Sequence, residues 1–368
     1  MPVFGTPQNG YKRIVWESPK LTVYAERRKR LLSLAREKQV LAITPANKFW
    51  LTDFWGAGAA IVLSDRTVVI TSPLEADRAR ETGKEVEVVV GKGPKGISRL
   101  IGGRLEARKV LVDDGTGVSL NGRADTKPGV FLQARRTKDA EEVRRIRTAS
   151  KTLDSIFKAI ADLLRPGVSE WDVASEVMKL ATQKRLTPIQ EGGALSPVII
   201  AGAGNGALPH SELTARRMRN GDMVVADIFF RSEGYFSDET RTFAVGDPTK
   251  EARENYAAVR EAQEAALEAA TEGEKCEAVH NAAVKILARA GLEKYLNHSV
   301  GHGVGIDIHE LPRVAKGEKS RLAKGDVITD EPGVYFRGKY GIRIEDTLMV
   351  GKRPEVLTNF TKDLIVCG

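Results

Sequence analysis

One short pattern occurs twice in this chain. Gly221-Asp222-Met223-Val224-Val225-Ala226-Asp227 returns 104 positions later as Gly325-Asp326-Val327-Ile328-Thr329-Asp330-Glu331. Each copy is a Gly-Asp turn, an apolar run of strand character and a closing acid. Thr240 to Gly246 is likewise answered by Glu345 to Gly351 at an offset of 105, and His210 precedes the first unit as His309 precedes the second. Such a duplication predicts a pseudo-twofold domain in which the paired acids meet near the axis. Helical patterns surround these strands, so the domain is expected to be α+β.

At 368 residues the chain exceeds the usual single-domain size, and two domains are expected. Ahead of the repeat lie a helical pattern from Val23 to Lys38, a short strand from Val40 to Thr44 and two strands about a turn at Asp65-Arg66. A helix from Pro73 and strands over Val86 to Val90 and Lys109 to Val112 follow, which together read as an α/β sheet domain. A long helix then opens at Asp139, with Glu142 placed to close a capping box. It carries Val143, Ile146, Ala149, Leu153, Ile156, Phe157, Ile160, Leu163 and Leu164 on one face and stops at Pro166-Gly167. The boundary is drawn ahead of it, giving residues 1–136 and 137–368. Ser169 opens another helix, and Lys250 to Ala290 reads as a helix pair broken near Gly273.

The longest apolar run, Gly56 to Leu63, is far short of the roughly 20 residues of a membrane-spanning helix, so no membrane association is expected. The first thirty residues, with Gln8, Asn9, Lys12, Arg13, Glu17 and Lys20, carry no apolar core of a secretory signal, and a cytoplasmic location is expected. Cys276 and Cys367 have no CxxC partner, which argues against disulfide or zinc-finger chemistry. The net charge is +8, with basic runs at Arg27-Arg28-Lys29-Arg30 and Arg144-Arg145. No nucleic-acid motif accompanies them, so they read as solvated helix faces and no nucleic-acid partner is expected.

Chemistry is carried by acids at the ends of apolar strands: Asp227 in MVVADIFF, Asp238 in GYFSDETRTF, Glu331 in VITDEPGVY and Glu345 in GIRIEDTLMV. A buried carboxylate needs a compensating charge, and no set of four lysines or arginines stands beside these four. Divalent cations are the economical alternative. Four carboxylates and one imidazole have the capacity for two ions, and oxygen-dominated ligation without thiolate favours Mn²⁺, Co²⁺ or Zn²⁺ at a hydrolytic site. His210, His298, His302 and His309 all fall in Gly- and Pro-rich segments. His280, on a helix beside Cys276 and Val279, reads as a core-facing histidine. HELPR at His309 is not a zincin helix, because Pro312 breaks it, and GHGVGI lacks the third glycine of a dinucleotide loop.

The segments NGALPH, GYFSDETRT, HSVGHGVGIDIHE, TDEPGVY and GIRIEDT together resemble the pita-bread metallopeptidases, the group of methionine aminopeptidase, aminopeptidase P and prolidase, with creatinase as a metal-free relative. The resemblance runs from Thr137 to the C-terminus. The preceding segment, with PANKFWLTDF, resembles the creatinase-type N-terminal α/β domain of prolidase and aminopeptidase P. It implies that Asp227 chelates one metal, His302 and Glu331 the other, and that Asp238 and Glu345 bridge both; Mn²⁺ is the first expectation. His210, His298 and His309 would contact substrate around the scissile bond, with Glu331 transferring the proton and His309 stabilising the oxyanion. Tyr335 and Arg343 match a pair near the metals, and Arg313 sits where prolidases place an arginine for the substrate carboxylate. Arg343 and Glu345, two apart on one expected strand, should share a face. Phe229 departs from the family, many members of which have glycine there. The implied activity is hydrolysis of Xaa-Pro dipeptides by a homodimer, with longer Xaa-Pro peptides as the alternative. A non-catalytic binding protein of the same fold is the reading from another class, supported by the +8 charge alone.

Overall fold

The structure, a computed structural model, describes residues 22–106, 108–114, 120–188 and 196–368; the polar stretch Gln8 to Lys20 lies outside them. The first sheet has six strands in the order β4-β3-β2-β1-β5-β6. These are β1 (Val40–Ala42), β2 (Ala59–Val62), β3 (Thr67–Thr71), β4 (Val86–Val90), β5 (Val110–Val112) and β6 (Ala124–Thr126). β1, β2 and β3 pair antiparallel, whereas β3–β4, β1–β5 and β5–β6 are parallel. The helices here are α1 (Val23–Ala35), α2 (Pro45–Thr52), α3 (Pro73–Thr82), α4 (Gly93–Arg104) and α5 (Pro128–Arg136).

Three of these helices escape periodicity for identifiable reasons. α2 and α5 span only eight and nine residues. In α2 every residue from Asn47 to Thr52 is buried, so no polar face marks it. α4 carries Gly93, Gly96, Gly102 and Gly103, which weigh against helix in a local reading. α1 stops at Ala35, short of Lys38, because Arg36 turns left-handed at φ 56°. β1 stops at Ala42, and the backbone N–H groups of Ile43 and Thr44 donate to Asp113 instead of to a neighbouring strand.

The second half begins with α6 (Ala140–Leu163) and α7 (Glu170–Gln183), each opened by a capping box, at Asp139 and Ser169. There follow β7 (Val198–Gly202), β8 (Asp222–Ser232), β9 (Tyr235–Val245), α8 (Lys250–Ala269), α9 (Cys276–Arg289), β10 (Gly301–Gly303) and β11 (Glu310–Val314). The chain ends through β12 (Val327–Asp330), β13 (Gly333–Phe336), β14 (Tyr340–Arg343), β15 (Asp346–Met349), β16 (Glu355–Val356) and β17 (Val366–Cys367). One sheet runs β17-β9-β8-β7, another β11-β10-β12-β15-β16, and β13-β14 form a hairpin.

A bridge between Thr240 and Glu345 joins β9 to the segment leading into β15, so β7-β8-β9 meets β15-β12-β10 in mirrored order. Helices α6 and α7 pack through Leu153, Phe157, Ile160 and Val177 onto Val224, Ala226 and Ile228 of the first half. Helices α8 and α9 pack through Val259, Ala262, Val279 and Ala283 onto Ile328 and Leu348 of the second. This is the expected pseudo-twofold α+β arrangement of a pita-bread fold behind an α/β domain. The repeated Gly-Asp turns are equivalent in detail: Gly221 and Gly325 sit at φ 87° and 85°. Asp222 accepts from the backbone N–H of Arg219 at 2.8 Å, and Asp326 from that of Ala323 at the same distance. Each aspartate also holds an arginine, Arg216 at 2.6 Å and Arg136 at 2.7 Å.

The basic runs are only partly the solvated faces expected of them: Lys29 and Arg144 are exposed, but Arg27, Arg28 and Arg145 are buried. Arg27 is only 2% exposed; it donates to Asp139 at 2.8 Å and to the Trp50 carbonyl at 2.7 Å. Arg145 clamps Asp53 with two bonds of 2.7 and 2.8 Å. A guanidinium satisfies several acceptors at once, which suits it to this junction between the first sheet and α6. Beside it, Glu142 accepts from the Tyr235 hydroxyl at 3.0 Å and from the Asp139 N–H at 2.9 Å.

Burial pushes the Glu142 carboxyl up to about 7, outweighing nearby Arg27. The folded protein therefore keeps a proton that the unfolded chain loses near an ordinary carboxyl pKa of about 4.3, and its stability falls as pH rises from there to about 7 and levels off above. Glu142→Gln is expected to flatten that decline, because the amide does not titrate: its oxygen accepts from the Asp139 N–H and its nitrogen donates to the Tyr235 hydroxyl oxygen. Urea midpoints at pH 5 and pH 8 check this; a variant with the wild-type slope would refute it.

Candidate metal centre

The β8–β9 pairing sets Asp227 opposite Thr240 and Phe229 opposite Asp238. Residues directly opposite, or two apart on a strand, share a face. All four therefore point to one side. From the other half come His302 on β10, Glu331 just past β12 and Glu345 ahead of β15. These five sequence-predicted ligands line one cavity of about 450 Å³, together with His210, His298, His309, Arg313 and Arg343.

Asp238, His302 and Glu345 offer ligand atoms all within 4.8 Å of one another. His302 Nε2 lies 3.5 Å from Glu331 Oε1 and 3.9 Å from Asp238 Oδ2. Its amide N–H donates to Thr329 Oγ1 at 3.1 Å, and its ring lies 4.3 Å from that of His309. His210, His309 and Arg313 are exposed at the cavity's edge, Arg313 on β11 opposite His302. Tyr335 is not among the lining residues. It stands behind them, and its hydroxyl joins Arg343 Nη1 at 2.6 Å to His298 Nε2 at 2.9 Å.

Arg343 also bonds Asp227, Thr240 Oγ1 at 3.2 Å and the Pro209 carbonyl at 3.3 Å, so its donors are committed to holding the wall. The single strand expected over Arg343 and Glu345 is divided. Arg343 pairs with Gly333 in the hairpin, whereas Asp346 pairs with Asp330 in the five-stranded sheet. Between them the Glu345 N–H donates to the Thr240 carbonyl at 3.0 Å, and Thr240 Oγ1 donates to Glu345 Oε2 at 2.7 Å. The chain changes sheets at this seam, yet both side chains reach the cavity.

Electrostatics here are those of an anion cluster short of cations. Burial, then Glu345, Asp227 and Glu331, push Asp238 well above the carboxylate range. Burial and Glu345 do the same to Glu331, and burial and Asp227 raise Glu345 to about 8. Burial lowers His302 to about 3 and His298 to about 4, helped by His309 and Arg343 respectively. Neutral imidazoles keep the lone pair that ligation requires. Asp227 Oδ1 and Asp238 Oδ1 are buried without a hydrogen-bond partner. Carboxylate oxygens that repel one another, two of them unsatisfied, around a neutral imidazole fit divalent cations, which supply the charge and the partners the fold leaves out.

Sequence reading passed over a second acid layer. Asp238-Glu239, Asp330-Glu331 and Glu345-Asp346 are doublets, and the member of each that does not line the cavity is buried away from it. Arg241 donates to Asp346 at 2.7 Å, Lys362 to Asp346 at 2.9 Å, and Gln263 to Asp330 at 3.0 Å. The doubling of the acid in three motifs is the signal that pointed to it. Glu310 also went unassigned. It is buried, takes Lys138 at 2.8 Å, and accepts from the N–H groups of Ile306 and Asp307 at 3.0 and 3.1 Å, which pins the loop carrying His309.

A family model described as Metallopeptidase family M24 matches residues 144–352. The chain is 32% identical over 321 residues to the "Probable dipeptidase PepE" of Mycobacterium tuberculosis, covering 84% of this chain and 83% of that one. It is 32% identical over 327 residues to the "Xaa-Pro dipeptidase" of Pyrococcus furiosus, covering 85% and 90%. Among solved structures, the Xaa-Pro dipeptidase from Bacillus anthracis superposes with a TM-score of 0.84 at 28% identity, over 93% of this chain and 99% of that one.

Proposed function

The chain belongs to metallopeptidase family M24, and from that premise we propose that it is a divalent-metal-dependent Xaa-Pro dipeptidase. What carries the reading is the convergence of Asp227, Asp238, His302, Glu331 and Glu345 on one cavity with an arginine at its edge. In this reading Asp227, Asp238, His302, Glu331 and Glu345 would hold the ions, with Mn²⁺ as our first assignment and Co²⁺ or Zn²⁺ as alternatives. Such ions would supply Lewis acidity, acidifying a water and polarising a carbonyl.

The side chains do the rest. Arg343 and Tyr335 fix Asp227 and His298 in place. A Glu331 carboxylate oxygen accepts the proton released by the attacking water and returns it to the prolyl nitrogen, which as a tertiary amide has no hydrogen of its own. His309, whose ring lies tilted against that of His302 with centroids 4.3 Å apart, donates to the developing oxyanion, and His210 and His298 contact the substrate around the scissile bond. Arg313 takes the substrate carboxylate. We assign residues 1–136 to an N-terminal domain and 137–368 to the catalytic domain, and we propose a cytoplasmic homodimer without a nucleic-acid or membrane partner. No helix among the described residues is long and apolar enough to cross a membrane.

The test is a panel of Xaa-Pro dipeptides and Xaa-Pro-Xaa tripeptides assayed with Mn²⁺, Co²⁺ and Zn²⁺. Preferential cleavage of the dipeptides is expected. Cleavage of the tripeptides alone would reassign the enzyme as an Xaa-Pro aminopeptidase. Less than one transition ion bound per chain after loading, with no turnover, would favour the non-catalytic binding protein.

A further inference from the structure

We propose that Phe229 sets the size of the Xaa side chain that the cavity accepts, an inference that rests on the dipeptidase reading. Phe229 follows Asp227 by two residues and lies opposite Asp238 across the β8–β9 ladder, so its side chain stands beside both carboxylates on the cavity face. Leu132 of α5, Ile199 of β7 and Ile308 continue the apolar wall.

The scissile carbonyl of an Xaa-Pro peptide belongs to Xaa. The Xaa Cα is one bond from the reacting carbon, and bringing that carbon to Asp227 and Asp238 brings the Xaa side chain against the residue that flanks them both. The prolyl ring is constant across this substrate class, so discrimination by volume acts on Xaa. Beside those two carboxylates this chain places an aromatic ring.

The ring has little freedom to yield. Phe229 is 4% exposed and meets Phe236 edge-on, with centroids 6.0 Å apart. Phe236 is fully buried, and its N–H donates to the Gly305 carbonyl at 2.7 Å. The Arg231 guanidinium lies 4.5 Å from the Phe236 ring and 4.8 Å from that of Trp55, a stack that backs the filter. A close-packed side chain of this kind excludes a bulky neighbour instead of moving aside for it. Glycine and alanine are therefore the favoured Xaa residues, and branched or aromatic ones are discriminated against.

The experiment compares wild type, Phe229→Leu and Phe229→Ala on Gly-Pro, Ala-Pro, Leu-Pro and Phe-Pro. It reads kcat/KM together with calorimetric binding of non-hydrolysable reduced-amide analogues of Ala-Pro and Phe-Pro. Wild type should prefer Ala-Pro to Phe-Pro by at least about tenfold, and Phe229→Ala should shrink or invert that ratio by about tenfold or more, in the range a pocket's volume commands. Phe229→Leu, which keeps the wall packed, should fall between and serves if the alanine variant does not fold. A ratio unchanged within about twofold in an active variant overturns the filter and leaves the dipeptidase standing. Failure of wild type to cleave any Xaa-Pro dipeptide overturns the dipeptidase reading and the filter with it.

Discussion

Glu331→Gln is expected to lower kcat by about 10²- to 10⁴-fold, the range that a positioned proton-transfer group contributes, while the fold is kept. The amide has the shape of the acid. Its backbone N–H still donates to the Val300 carbonyl at 2.7 Å, a contact that the side chain does not influence. What the variant cannot do is accept a proton and release it to the prolyl nitrogen. The same change replaces an acid whose ionisation burial and Glu345 already oppose with a neutral group, so the metal-free variant should unfold no earlier than wild type. Steady-state kinetics with metal in excess, alongside measured metal content, separate lost chemistry from a lost ligand. If added metal restores turnover, Glu331 is a ligand only; near-normal kcat would remove it from the mechanism.

Chelation is expected to abolish turnover and to lower the melting midpoint by about 5 °C or more. Ions present at a hundred times their dissociation constant stabilise the folded state by about 2.7 kcal/mol, and each kcal/mol moves the midpoint of a large domain by about 2–4 °C. Asp238→Asn should erase this response. Asp238 is 5% exposed, its Oδ1 lacks a hydrogen-bond partner, and Glu345, Asp227 and Glu331 all oppose its ionisation. Asparagine mimics its protonated form, so the variant without metal should melt at or above the midpoint of metal-free wild type. Scanning calorimetry with and without chelator reads both effects. A variant that still gains as much from metal as wild type would take Asp238 out of the ligand set.

Parts of this architecture were legible because their causes are local. A Gly-Asp turn needs the left-handed backbone of Gly221 and Gly325 and an aspartate to cap it, and both copies obey. The capping boxes of α6 and α7 and the apolar stripe of α6 are written within a few residues. The short buried helix α2 was not legible, since a segment apolar or buried all round has no period to read. Nor was the burial of Arg27 and Arg145, whose acceptors Asp139 and Asp53 lie 112 and 92 positions away.

The site divides the same way. Local order in the chain determined the repeat, the acids that close its strands and the period-two rule that sends neighbours such as Asp238 and Glu239 to opposite faces. Which face became the cavity was decided only when β8 and β9 met the second half across the Thr240–Glu345 bridge. A one-residue slip of β9 would turn Asp238 outward and Glu239 inward, and nothing within the strand forbids it. The register that prevents it is set by hydrogen bonds and packing between segments about a hundred residues apart, which no local pattern records.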